Sequence, residues 1–220
     1  MPRNPGRFIT IEGIEGAGKS TCLAFVRDRL IQAGRAVLTT REPGGTPLGE
    51  ELRALLLGHR QEGMGEDTEL LLMFAARAEH LAQKILPALG QGTDVLCDRF
   101  TDATYAYQGA GRGIARERIA VMEAWVQKGM RPDLTLLLDL PVEQGLERAG
   151  RRSAADRFES ETGRFFQAVR QGYLELAAAE PDRIKRIDAS LPLAGVERQL
   201  AEVIDDFLKS PVSGLKPTSP

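Results

Sequence analysis

Gly13-Ile14-Glu15-Gly16-Ala17-Gly18-Lys19-Ser20 is the stretch that decides how this 220-residue chain folds. It fits the pattern G-x-x-x-x-G-K-[S/T] at every fixed position. Its glycines let backbone N–H groups turn toward one centre, and Lys19 adds a full positive charge there. The run Phe8-Ile9-Thr10-Ile11 before it is β-branched and aromatic, as strands are, and residues 21–33 after it have helical character. Strand, loop and helix in this order aim the positive end of a helix dipole at an anion held by the loop. The motif therefore predicts a phosphate site wrapped by Gly13, Ile14, Glu15, Gly16, Ala17 and Gly18. In it Lys19 holds β- and γ-phosphates, Ser20 offers a hydroxyl to Mg²⁺, and Thr21 places a second hydroxyl near the α-phosphate.

Outward from the loop, strand-like runs alternate with helical stretches, the pattern of a parallel sheet wound on both faces. Gly34 suits a helix C-terminus, and residues 36–40 a second strand. Arg41-Glu42-Pro43-Gly44-Gly45 breaks either regular structure. Residues 50–57 read as a short helix, and Asp67 or Thr68 as the cap of a long one reaching about Leu89, with Pro87 near its end. Further strands are expected at 94–98, 134–138 and 184–187, the Leu-rich 134–138 resembling a fully buried parallel strand. Helices are expected at 101–108, 117–128, 161–179 and 193–208. Gly109-Ala110-Gly111-Arg112-Gly113 reads as a mobile loop, and Pro141 suits a first helical turn. The expectation is one α/β domain over residues 1–208, a P-loop three-layer sandwich with a five-stranded parallel sheet between helices. A lid segment at about 148–157 and a disordered tail at 209–220 complete it.

A net charge of −2 argues against wholesale binding to nucleic acid or an anionic membrane. No apolar run approaches the ~18 residues that span a bilayer, and residues 1–7 lack a signal-peptide core, so a cytoplasmic protein is expected. Cys22 and Cys97 lie in apolar surroundings and read as buried small hydrophobes. Three broad classes share the loop: switch GTPases, motor or transport ATPases, and small kinases. Guanine readers of the Asn-Lys-x-Asp type are excluded, because the only asparagine is Asn4. Motor and transport ATPases need partner domains that 220 residues do not supply. A small kinase needs a second pocket for a phosphate acceptor and a basic flap.

Glu12-Gly13-Ile14-Glu15-Gly16-Ala17-Gly18-Lys19-Ser20, Arg41-Glu42-Pro43-Gly44-Gly45-Thr46, Asp98-Arg99-Phe100 and Ala106-Tyr107-Gln108-Gly109 occur in this order and spacing. Together they resemble the bacterial thymidylate kinase family, over about residues 8–208. The resemblance implies transfer of the ATP γ-phosphoryl group to dTMP with Mg²⁺, in a homodimer. It implies that Glu15 accepts a hydrogen bond from the acceptor's 3′-hydroxyl and that Arg99 lies between donor and acceptor phosphates. It also implies that Thr104 and Gln108 face the thymine edge, and that Tyr107 packs near C2′ and disfavours a ribose. Asp188-Ala189-Ser190 resembles the loop that holds adenine.

Arg41, at the C-terminal end of a strand, has the planar fork that suits the acceptor's phosphate, and Arg53 shares the task by resemblance. The family stacks thymine on a phenylalanine four residues before the arginine that reads the base. Here Met73 stands four before Arg77 and Phe74 three before it, so either Met73 or Phe74 is the stacking residue. Asp98 and Asp139 both end apolar strands; Asp98, followed by Arg99, is preferred as the carboxylate that organises Mg²⁺. The loop has no arginine of its own, which sends the search for a further catalytic cation to the lid, with Arg152 first and Arg148 or Arg157 assisting. His59 and His80 lack a second ligand at metal-site spacing. Two other readings stay open on sequence: a monophosphate kinase for another base, and an ATP-binding regulatory module without a phosphate acceptor.

Overall fold

The computed structural model describes residues 6–58, 63–150, 158 and 161–210. His59, Arg152, Arg157 and residues 211–220 of the expected tail lie outside them. Five strands form one parallel sheet: β1 (Phe8–Glu12), β2 (Val37–Arg41), β3 (Asp94–Asp98), β4 (Leu134–Asp139) and β5 (Ile184–Asp188), in the order β2-β3-β1-β4-β5. β1, β3 and β4 are central and almost wholly buried, which is why their sequences are apolar runs rather than alternations. The side chains of β1 and β3 alternate between two cores. Phe8, Val95 and Cys97 join Leu81, Ile85, Leu89 and Phe100, whereas Ile9, Ile11 and Leu96 join a larger cluster with Val26, Leu30, Leu200 and Ile204. Cys22 and Cys97 are both free and buried.

The helices are α1 (Lys19–Gln32), α2 (Pro47–Leu57), α3 (Glu66–His80), α4 (Leu86–Gly90), α5 (Thr101–Thr104), α6 (Arg116–Gln127), α7 (Val142–Gly150), α8 (Gly163–Ala179) and α9 (Leu193–Lys209). None of them is long and apolar enough to cross a membrane. α2 begins three residues earlier than expected, because the Thr46 hydroxyl accepts the Gly49 N–H and Pro47 opens the first turn. The predicted caps of α3 are wrong: Gly65 is the cap, and Asp67 stands within the first turn, paired with Arg118.

Two π-helical turns were not foreseen. The first, Leu81–Ile85, joins α3 to α4 just before Pro87, whose missing N–H interrupts the α-helical ladder. The second, Tyr105–Gly111, continues α5 and contains Gly109, Ala110 and Gly111, which the sequence reading placed in a mobile loop. Those small residues serve packing. A Cβ on Gly111 would lie 2.6 Å from the Phe165 ring, and one on Gly172 would lie 2.7 Å from the Ala110 methyl. α8 thus lies directly against the π turn, and the Arg112 N–H closes it on the Tyr107 carbonyl at 2.9 Å.

Candidate active site

Strand order reverses at β1, so the C-terminal ends of β1, β2 and β3 open on one crevice, the usual ligand position in such sheets. A cavity of about 240 Å³ lies there. The expected residues Glu15, Gly16, Gly18, Lys19, Ser20, Arg53, Met73, Arg77, Asp98, Arg99, Thr104, Tyr107 and Gln108 all line it. Glu42, Pro43 and Phe100, which lie inside the motifs but carry no expected role, also line it, as do Leu57, Ala103 and Phe158, which lie outside them. A more open cleft of about 600 Å³ shares Ser20 and Asp98 with it.

The loop after β1 reaches its shape through close backbone approach. Gly16 has φ 72°, and a Cβ there would sit 1.9 Å from the Gly145 carbonyl oxygen of α7. No side chain, an arginine included, fits at position 16 unless the α7 backbone shifts. Gly18 caps α1 in the left-handed region. Lys19 Nζ donates to the carbonyls of Gly13 (3.1 Å) and Ile14 (3.0 Å). Burial, reinforced by Arg99, pulls its pKa below the ordinary lysine value. Gly13, Ile14, Ala17 and Thr21 do not line the cavity; Ile14 and Ala17 pack in the core, and Thr21 is exposed.

The segment after β3 is held by β1. Arg99 takes φ 69°, rare for a side chain of its size, and its N–H donates to the Ile11 carbonyl at 3.0 Å. The Phe100 N–H donates to Glu12 Oε1 at 2.7 Å, and the Tyr173 hydroxyl donates to Glu12 Oε2 at 2.7 Å. Burial, then the neighbouring Asp102 charge, raises the Glu12 pKa to about 8. Arg99 Nη2 donates to Glu15 Oε1 at 2.8 Å and stands over the Tyr107 ring, whose hydroxyl donates to the same carboxylate. Glu15, the odd anion of an anion-binding loop, is thus bracketed by a cation and a phenol.

Arg77 is 2 % exposed. Its Nε donates to Glu42 Oε2 (2.8 Å) and its Nη2 to Thr104 Oγ1 (3.0 Å). Glu42 Oε1 lies 3.0 Å from His80 Nδ1, and His80 Nε2 lies 2.7 Å from Thr40 Oγ1. His80 is therefore part of a buried chain behind the cavity rather than a spectator. Gln108 Nε2 donates to Glu69 Oε1 at 2.7 Å. Four buried side-chain polar atoms have no hydrogen-bond partner among the described residues. Three of them, Arg77 Nη1, Gln108 Oε1 and Asp98 Oδ1, belong to residues of this one cavity.

Phe74 and Arg41 stand apart from this cavity, while Met73 and Asp98 are the members of their pairs that line it. Phe74 does not line the cavity: it is fully buried with Leu70, Ile114 and Ile119, and its ring supports the Arg77 guanidinium 4.9 Å away. Met73 is the one of the pair that reaches the opening. Arg41 lines the neighbouring cleft, is half-exposed and pairs with Glu50 at 2.8 Å. Asp139, the rival to Asp98, is occupied by Arg170 and Arg186. Arg53 Nη1 donates to the Pro43 carbonyl at 2.9 Å. Arg148 Nη1 donates to the Ala189 carbonyl at 3.0 Å, while Asp188 accepts from the Ser190 N–H and hydroxyl.

Glu12, Glu42, Glu69 and His80 carry much of this geometry, yet the sequence reading assigned them no role. The only signal was the placement of Glu12 and Glu42 inside quoted motifs; an acid near a helix start, like Glu69, looks like an ordinary complement to the dipole.

The family model described as thymidylate kinase matches residues 11–200. A protein named thymidylate kinase from Pseudomonas entomophila is 58 % identical over 204 residues, covering 93 % of this chain and 97 % of its own. Its counterpart in Alkalilimnicola ehrlichii is 57 % identical over 210 residues, with 95 % and 97 % covered. One from Alcanivorax borkumensis is 55 % identical over 202 residues, with 92 % and 97 % covered. The matched span runs from the last residues of β1 to within α9 and so includes the loop, the Asp98-Arg99-Phe100 segment and the buried chain behind Arg77. On fold, site and similarity together, the chain belongs to the thymidylate kinase family.

Proposed function

We propose that the crevice transfers the γ-phosphoryl group of ATP to dTMP, giving dTDP and ADP, with Arg77 and Gln108 reading the base. One observation carries the base reading: two residues that line the same cavity each keep a buried atom without a partner, the donor Arg77 Nη1 and the acceptor Gln108 Oε1. Unpaired buried polar atoms are costly, so the favoured ligand supplies the opposite pattern. The 4-oxo group and N3–H of thymine do so. Cytosine presents an amino group to the donor and a bare ring nitrogen to the acceptor. Met73 lies against the base in this reading, Thr104 contributes its hydroxyl, and Tyr107 fills the space beside C2′.

The acceptor atom is a phosphate oxygen, already anionic near neutral pH, so no general base is needed. Catalysis is then positioning and charge neutralisation. Lys19 holds the donor's β- and γ-phosphates, the backbone of residues 13–18 wraps them, and Thr21 stands near the α-phosphate. Arg99 stands between donor and acceptor phosphates, while Glu15 accepts from the 3′-hydroxyl. Arg53 faces the acceptor phosphate from α2, and Arg41 approaches it from the adjoining cleft. Arg152 is proposed on sequence alone as the lid cation. The unpartnered Asp98 Oδ1 and the Ser20 hydroxyl, shared by both openings, fit an oxygen-binding cation such as Mg²⁺. Bound there, Mg²⁺ would neutralise phosphate charge.

A homodimer is proposed as well. Val121 and Trp125, one turn apart on α6, are 68 % and 73 % exposed, and α6 packs against α3, where Leu71 is also exposed. Light scattering on the wild type and on Trp125→Glu should give a dimer and a monomer; a monomeric wild type removes this part.

The reaction is tested by ADP release with dTMP, dUMP, dGMP, dAMP and CMP in turn. Activity with dTMP well above the others is expected. Preference for another base, or no acceptor-dependent release, contradicts the proposal.

A further inference from the structure

We propose that Glu69, which touches no substrate, is the residue that sets the polarity of base recognition by fixing which end of the Gln108 amide faces the cavity. The inference rests on the base-reading role of Gln108 given above.

An arginine has only donors to offer, so Arg77 presents the same polarity however it is held. Gln108 differs. Its amide carries an acceptor at one end and two donors at the other, the ends are nearly equal in size, and a half-turn exchanges them. Left alone, the side chain could face a ligand with either. Glu69 removes the choice. It is 1 % exposed, and its Oε1 lies 2.7 Å from Gln108 Nε2. A carboxylate only accepts, so the NH₂ end must turn toward Glu69, which leaves the buried and unpartnered Oε1 as the end of the amide free for a ligand of the cavity that Gln108 lines. Rotation would place two acceptors in contact inside the protein and strand the NH₂ group. Glu69 is itself held: its other oxygen lies 3.5 Å from Arg112 Nη2, and Arg112 is steadied by Glu161 at 2.6 Å and by the Phe165 ring.

The consequence is specific to one edge of the base. dTMP and dUMP share the oxo and N–H groups and differ only in a methyl group, so Glu69 should not affect the choice between them. dTMP and dCMP differ in that edge, so Glu69 should affect that choice. A defect that merely loosened the pocket would not separate the two comparisons.

The test is kcat/KM for dTMP, dUMP and dCMP in wild type, Glu69→Gln, Glu69→Asp, Gln108→Leu and the Glu69→Gln/Gln108→Leu pair. Glu69→Gln should lower the dTMP-over-dCMP preference about tenfold, mainly through KM, with the dTMP-over-dUMP preference unchanged. Glu69→Asp keeps an acceptor-only group and should retain the preference for dTMP over dCMP even if its kcat/KM falls. In the Gln108→Leu background, Glu69→Gln should have no further effect on that preference, because there is no amide left to turn. If Gln108→Leu lowers the preference but Glu69→Gln does not, the proposal for Glu69 fails alone. The same holds if Glu69→Gln acts equally in both backgrounds, or if Glu69→Asp matches Glu69→Gln. If Gln108→Leu leaves the preference unchanged, the base-reading assignment fails and this inference with it.

Discussion

The two halves of the crevice are built by different means. The phosphate loop is a backbone device: eight consecutive residues, three of them glycines at positive φ, with one lysine. The base-reading half is a side-chain device whose partners lie far apart in sequence. Arg77 is fixed by Glu42 and Gln108 by Glu69, 35 and 39 residues away, and Phe100 is fixed by Glu12 from 88 residues away. A contiguous device announces itself in sequence, and a dispersed one does not. The two should also fail differently: damage to the loop strikes turnover, whereas damage to the carboxylates strikes affinity and choice of base.

The largest effect should come from the charges that surround the transferred group. Lys19→Ala or Arg99→Ala is expected to lower turnover by ~10²-fold or more while circular dichroism stays native. Near-normal kcat in either would break the assignment.

Gly16→Ala probes the backbone device directly. The added methyl meets the Gly145 carbonyl, so both activity and melting temperature should fall, activity by about tenfold or more. An unchanged melting temperature would mean that the loop and α7 do not bear on each other as described.

Glu42→Gln probes the dispersed device. It removes the charge opposite Arg77 and disturbs the bond to His80, and should raise KM for dTMP about tenfold while kcat stays within about threefold. A fall in kcat with KM unchanged would place Arg77 on the phosphate side instead.

The smallest effect on turnover concerns Glu12, whose influence is on stability. Its folded pKa of about 8 lies above the ordinary value of 4.5, so the folded protein holds a proton that the unfolded chain releases. The contribution is full below about pH 4.5 and is lost as pH rises toward about 8. Urea-unfolding midpoints of the wild type should therefore fall between pH 5 and pH 8 relative to those of Glu12→Gln. Parallel curves for the two proteins would show that Glu12 titrates normally.

The sheet was legible because buried parallel strands must be apolar throughout, and β3 was bounded correctly at Asp94 and Asp98. The loop was legible for the same local reason. Helix ends and π turns were less so. Gly109 and Gly111 are loop-formers by propensity but are used here for packing, Gly109 against Ile119 of α6 and Gly111 against Phe165 of α8, which only the packed structure reveals. Among the candidate site residues, spacing brought Arg77 within reach of both Met73 and Phe74 without saying which ring or thioether faced the opening. The choice depends on Leu70, Ile114 and Ile119, which take Phe74 into the core. Buried carboxylates are the least legible of all, since an Asp or Glu reads as solvent-facing until its distant partner is known.

The central claim is that two buried atoms of opposite polarity, Arg77 Nη1 and Gln108 Oε1, select the edge of the base. Calorimetric titration of the wild-type protein with dTMP, dUMP and dCMP, without ATP, tests it most directly. The account predicts that dTMP binds tightest, that dUMP is weaker by about tenfold for its missing methyl, and that dCMP is weaker by ~10²-fold or more. Binding of dCMP as tight as that of dUMP would contradict it.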